Sequence, residues 1–112
     1  MIDYANIINN SFALSPSIFS LRQVFDYIIS AFSIKARRKG LLLRADCEKS
    51  IEVNTDYERL AGLLYIFVDN SIKFTDKGGI LLSASREIDG RVRIKVIDTG
   101  HGIAKRDLTV IS

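Results

Sequence analysis

A single cysteine, a single proline and the lack of any long apolar run limit what this chain of 112 residues can be. Cys47 has no second thiol to pair with and no cysteine or histidine cluster around it, so neither a disulfide framework nor a zinc site is implied; it reads as a small apolar filler. No stretch approaches the roughly 18 apolar residues of a membrane span. The start, MIDYANIINN, lacks the basic flank and apolar block of a secretory signal, so the cytoplasm is the expected location. The length suits one domain with its own core, and 47% hydrophobic against 26% charged residues is the composition of a soluble globular protein. Net charge is +3, with a basic cluster at Lys35, Arg37, Arg38 and Lys39. That cluster closes a predicted helix, where cations complement the macrodipole, so it does not call for nucleic acid.

What is present is periodic. Residues 1–19 carry loose helical spacing at Tyr4, Ile7 and Ile8, then SFALSPSIF with its proline, and read as a helix tail followed by a linker. Ser20 with Gln23 forms a capping box, and Leu21, Val24, Phe25, Ile28, Ile29 and Phe32 make one apolar face of a helix that Gly40 ends. Leu41 to Ala45 and Ile51 to Val53 are short strand candidates around the polar turn Asp46 to Ser50. Thr55 with Glu58 starts a second helix that runs to about Phe74. After the turn Asp76 to Gly79, Ile80 to Arg86 and Val92 to Ile97 form a hairpin across Asp89 and Gly90. Two helices over one face of an antiparallel-rich sheet make this an α+β, two-layer domain.

The second helix carries the chemistry. Within LLYIFVDNSIKFTDKGG, Ile66, Asn70, Lys73 and Phe74 share one face, while Leu60, Leu63, Leu64, Phe67 and Ser71 form the opposite, core-seeking stripe. The Asn70 amide oxygen is a hard ligand suited to Mg²⁺, and the Lys73 ammonium can reach the phosphates that such an ion accompanies. A half-buried helix with a solvated Asn and Lys would show the same pattern. The last strand runs into VIDTGHGI, where Asp98 can accept from an amino group and Gly100 and Gly102 let the backbone approach a ligand. An Asp-Thr-Gly triplet also marks dimeric aspartic proteases, but there it lies early in the fold, and here it lies close to the end of the sequence.

Together and in this order, these segments resemble the ATP-binding domain of sensor histidine kinases, within the wider Bergerat-fold family of gyrase, Hsp90, histidine kinase and MutL ATPases. FSLRQVFDYIISAFSIKARRKGLLL looks like the first helix and strand, TDYERLAGLLYIFVDNSIKFTDKGGI like the asparagine box, and VRIKVIDTGHGIAKRDL like the first glycine box. IDYANIINNSFALSPSIFSL is similar to the segment leading out of the dimerisation helices, which gives residues 1–19 as linker and 20–112 as the ATP-binding unit. The resemblance implies a two-layer sandwich in which Asn70 coordinates Mg²⁺, Lys73 contacts phosphate, Phe74 lines the pocket, Asp98 bonds the adenine amine, and Gly100 and Gly102 shape the floor. Its implied substrate is ATP; its implied partners are a histidine-containing dimerisation domain and a response regulator in the parent protein.

Three departures from that pattern stand out. Ile66 occupies the position four before Asn70, where relatives carry a polar or acidic residue that helps hold metal or water. The only histidine, His101, lies inside the glycine box, so the phosphoacceptor is not in this chain. The sequence stops at Ser112, ahead of the glycine-rich lid, so the fold is expected to be C-terminally incomplete and inactive alone. On that expectation Val92 to Ile97 would be an uncovered edge strand, favouring a homodimer. The first reading is thus part of a histidine-kinase ATP-binding domain; the second is a degenerate relative serving as a binding or dimerisation module.

Overall fold

The computed structural model describes residues 15–48, 50–99 and 104–110, with the side chains of 104–106 outside the description. Strand β1 (Pro16–Ser20) leads directly into helix α1 (Leu21–Arg38), followed by β2 (Leu42–Asp46) and β3 (Glu52–Asp56). Helix α2 (Tyr57–Phe74) comes next, then β4 (Gly79–Arg86), β5 (Val92–Asp98) and β6 (Ala104–Val110). β1 and β3 form an antiparallel pair of their own. The larger sheet runs β2-β4-β5-β6, with β2 parallel to β4 and the other pairings antiparallel. One core joins both helices to this sheet, with Phe25, Ile28, Leu64, Ile80, Leu82 and Ile94 all fully buried in it. The α+β two-layer arrangement expected from the periodicity is the one observed.

Helix α1 buries Leu21, Val24, Phe25, Ile28 and Phe32 as its spacing requires, with Ile29 at the margin. It ends in a Schellman turn: Gly40 takes φ of 71°, Leu41 N–H donates to the Ala36 carbonyl at 2.9 Å, and Gly40 N–H donates to that of Arg37 at 3.0 Å. Glycine reaches this left-handed conformation without the Cβ penalty, so the helix stops here. In α2, Leu60, Leu64, Phe67 and Ser71 are buried and Leu63 is half-buried, the stripe that the sequence predicts.

Local details differ. Residues 16–19, expected to be linker, lie in β1, which pairs with β3 from Pro16↔Asp56 to Ser20↔Glu52, and the Phe19 ring packs edge-on against Tyr57 at 5.0 Å. A proline at the first residue of an edge strand costs no ladder bond, which is why it does not interrupt the pairing. Ser20 is the N-cap of α1 by position, but its side chain makes no capping bond, so the Ser20–Gln23 box is not formed. The cap of α2 is Asp56 rather than Thr55: its carboxylate accepts from Arg59 N–H at 3.1 Å, while Thr55 is buried in β3. The β4-β5 hairpin turns through Asp89 and Gly90 as expected, with Glu87 N–H bonded to the Arg91 carbonyl at 2.7 Å. Cys47 is buried, as its filler role requires, and burial pushes its thiol pKa up.

The expectation that β5 would be an uncovered edge is overturned. β6 pairs along its whole length, from Val92↔Val110 to Asp98↔Ala104. Leu108 and Val110 are buried opposite Ile94 and Val92. The alternation Asp-Leu-Thr-Val over 107–110 puts its apolar residues on the core side, and that periodicity suits a strand. The argument for self-association through β5 therefore falls away.

The turn after α2 is tied to the end of β5. Thr99 N–H donates to the Gly79 carbonyl at 3.0 Å, and Gly79 N–H donates to Thr99 Oγ1 at 3.1 Å. Gly78 sits at φ of 96°, and a Cβ placed there would lie 2.5 Å from the Thr99 carbonyl oxygen. Gly78→Ala combines strain with a backbone clash, so it is expected to destabilise the fold by about 1–3 kcal/mol. Denaturant unfolding of the variant measures this; a midpoint equal to wild type would show that the contact is dispensable.

Candidate functional site

The face of α2 that points away from the core carries the predicted residues together. Ile66 is 50% exposed, Asn70 is half-buried, and Lys73 and Phe74 are exposed. Phe74, at 80% exposure, is not a core residue; its ring is available to a ligand. Helical geometry alone sets these four on one side, because the Leu60, Leu64, Phe67 and Ser71 stripe is committed to the core.

Asp98 enters from the sheet. Along β5, Val92, Ile94 and Val96 are buried, and Asp98 continues that parity at the strand's end, half-buried on the helix-covered side. It stands opposite Ile80 in β4 and Ala104 in β6. Its neighbour Thr99 is bonded to Gly79 in the turn that follows α2, so the ends of the two motifs meet at one end of the domain. Gly100 and Gly102 lie outside the described residues.

The charge around this face is organised by residues whose part is not evident from motif spacing. Asp69 meets both Lys35 Nζ at 3.5 Å and Lys73 Nζ at 3.4 Å. Lys39 Nζ donates to the carbonyls of Ile72 at 2.6 Å and Lys73 at 3.2 Å. The basic end of α1 thus serves the C-terminus of α2 as well as its own, since the last carbonyls of a helix carry partial negative charge. The signal available in the sequence was only charge: α1–α2 packing had to be known before Lys39 could be matched to those carbonyls.

For a cation, the chemistry of the donor set decides. Among the described residues no group of three or more His, Cys, Asp or Glu side chains could hold a metal ion. Asn70 offers one neutral amide oxygen to this face and Ile66 offers none, so a cation here would draw its other ligands from water or from a bound ligand. A groove of about 550 Å³ lined by Leu42, Arg44, Leu81 and Thr99 lies over the β2-β4 edge of the sheet. Leu42 and Arg44 there point away from the helices, and none of Asn70, Lys73, Phe74 and Asp98 lines it, so it is separate from this site.

An asparagine-bearing helix thus packs over a mixed sheet, with a half-buried carboxylate at the end of one strand. Residues 55–112 match the family described as histidine kinase-, DNA gyrase B- and HSP90-like ATPase, and the chain belongs to that family. It is 35% identical over 112 residues to the virulence sensor protein BvgS of Bordetella bronchiseptica, covering 96% of this chain and 9% of that protein. It is 32% identical over 110 residues to the sensor histidine kinase RcsC of Escherichia coli, covering 96% of this chain and 12% of that one. The crystal structure of full-length ShkA in complex with AMPPNP superimposes with a TM-score of 0.71 at 33% identity, over 81% of this chain and 20% of ShkA. The chain therefore has the α+β fold of this ATPase family and corresponds to the ATP-binding portion of a sensor histidine kinase. It spans about a tenth of the length of the curated relatives named here. Among the described residues no helix is long and apolar enough to cross a membrane.

Proposed function

We propose that the outward face of α2, with Asp98, binds ATP as its Mg²⁺ complex, and that in the parent protein this unit delivers the γ-phosphoryl group to a histidine. The observation that carries the reading is the segregation on α2: Asn70, Lys73 and Phe74 stand out of the core on one face, and the turn after α2 is bonded to Thr99, next to the half-buried Asp98 at the end of β5. Each group answers one part of the ligand. The Asp98 carboxylate accepts from the adenine amine, Phe74 covers the ring, the Asn70 oxygen takes a place on Mg²⁺, and Lys73 offsets phosphate charge. Gly100 and Gly102 would shape the floor beneath the base. Mg²⁺ supplies neutralisation of the charge that develops on the phosphates; the chain's own residues contribute orientation of the nucleotide. The AMPPNP bound to ShkA supports this reading. A dimerisation domain bearing the phosphoacceptor histidine and a response regulator are the partners this role requires, and the cytoplasm is its compartment. Titration with a non-hydrolysable ATP analogue, with and without Mg²⁺, tests it: saturable binding that Mg²⁺ strengthens is expected, and no binding at millimolar ligand would overturn it.

A second reading is favoured by Ile66. This residue is half-exposed on the site face and brings no oxygen to it, which fits a relative that holds nucleotide weakly and serves as a binding module. Ile66→Asn separates the two. An added amide one turn from Asn70 is expected to make analogue binding more Mg²⁺-dependent, and because the position is outside the core, stability should move by no more than about 0.5 kcal/mol. An unchanged Mg²⁺ dependence would remove Ile66 as the limiting position.

A further inference from the structure

The carboxylate beside Asn70 is held from two sides. Asp69 Oδ1 faces Lys35 of α1, and Oδ2 faces Lys73 of α2; both lysine side chains are about 60% exposed, against 24% for Asp69. A shallow cleft of about 400 Å³ runs between Lys35, Arg38, Lys39, Asp69, Ile72 and Lys73, so solvent and a charged ligand can reach all three partners. Ion pairs this exposed are weak, and either can be exchanged for a stronger partner. A triphosphate is such a partner, because several charged oxygens act on one ammonium. The second lysine matters here: if Lys73 leaves, Lys35 still neutralises Asp69, so the half-buried carboxylate is not stranded.

We propose that Asp69 is a positioning residue that competes with the nucleotide phosphates for Lys73, making phosphate binding an exchange of partners for that lysine. The proposal rests on the reading of Lys73 as the phosphate cation. Asp69 would then lower the affinity for phosphate-bearing nucleotides and leave that for the nucleoside alone unaffected.

The test is a calorimetric titration of ATP and of adenosine into wild type, Asp69→Asn, Lys73→Ala and the double variant. Asp69→Asn is expected to tighten ATP binding by about two- to five-fold, the equivalent of one exposed ion pair, with adenosine unchanged. In the Lys73→Ala background the same substitution should give no gain. A gain that persists without Lys73 would mean that Asp69 acts by plain repulsion of the phosphates, and no gain in either background would mean that it does not compete; both overturn the proposal. Wild-type affinity for ATP in Lys73→Ala would instead overturn the phosphate role of Lys73 itself. Melting curves guard the comparison: the lysine ends of both pairs are exposed, so transitions close to wild type are expected, and a large loss in Asp69→Asn would overturn the proposal by assigning the pairs to holding α1 on α2.

Discussion

Leu64→Ala is expected to destabilise this protein by about 2–5 kcal/mol, while Ile66→Ala, two residues further along the same helix, should change stability by about 0.5 kcal/mol or less. Leu64 is fully buried and Ile66 is half-exposed, although both are large apolar residues in the middle of α2. Truncating Leu64 removes contacts with the core and leaves a cavity that Phe67, Val68 and the sheet cannot fully close, so the transfer cost is joined by a cavity cost. Truncating Ile66 returns part of an already wet side chain to water. For a domain of this size each kcal/mol moves the melting temperature by roughly 4–8 °C, so thermal unfolding resolves the two variants clearly. Similar losses for both would show that α2 is not seated on the core by the Leu64 stripe, and the assignment of its outward face to a ligand would fall with it.

Asp98→Asn is expected to weaken adenine-nucleotide binding by about 1–3 kcal/mol, on the order of 5- to 150-fold, and to reduce the preference for ATP over GTP. The carboxylate is half-buried at the end of β5, where water reaches only part of it. An adenine amine donating to it replaces lost hydration; guanine presents a carbonyl at the corresponding position, and two acceptors then face each other. Asparagine has the same shape but can turn its NH₂ towards the base, so the loss reports hydrogen bonding and not packing. Parallel titrations with ATP and GTP decide the matter. Equal affinity of wild type for the two nucleotides, or an unchanged ATP affinity in Asp98→Asn, would remove Asp98 from the adenine site.

Much of this was legible in one dimension because it depends on periodicity. The 3.6-residue stripe of α1 and α2 marked their buried faces, and the side of α2 left over had to carry Ile66, Asn70, Lys73 and Phe74. Gly40 and the Asp89–Gly90 turn were equally clear, since a left-handed φ favours glycine wherever the chain needs it. Capping was less so: Ser20 and Asp56 lie within a residue of their predicted places, but which side chain bonds the helix depends on the angle at which β1 and β3 deliver the chain.

Tertiary structure alone decided the rest. Pro16 to Ser20 has weak strand character and became β1 because β3 was there to pair with it; β6 formed because β5 presented an open ladder and the core had room for Leu108 and Val110. Lys35 and Asp69 are 34 residues apart and Lys39 and Ile72 are 33 apart, and only the packing of α1 on α2 brings each lysine to its partner. The residue types for a nucleotide site are a property of local sequence, where spacing on one element sets the face. The partners that tune them come from other elements, and hydrogen bonds between distant residues leave no local period to read.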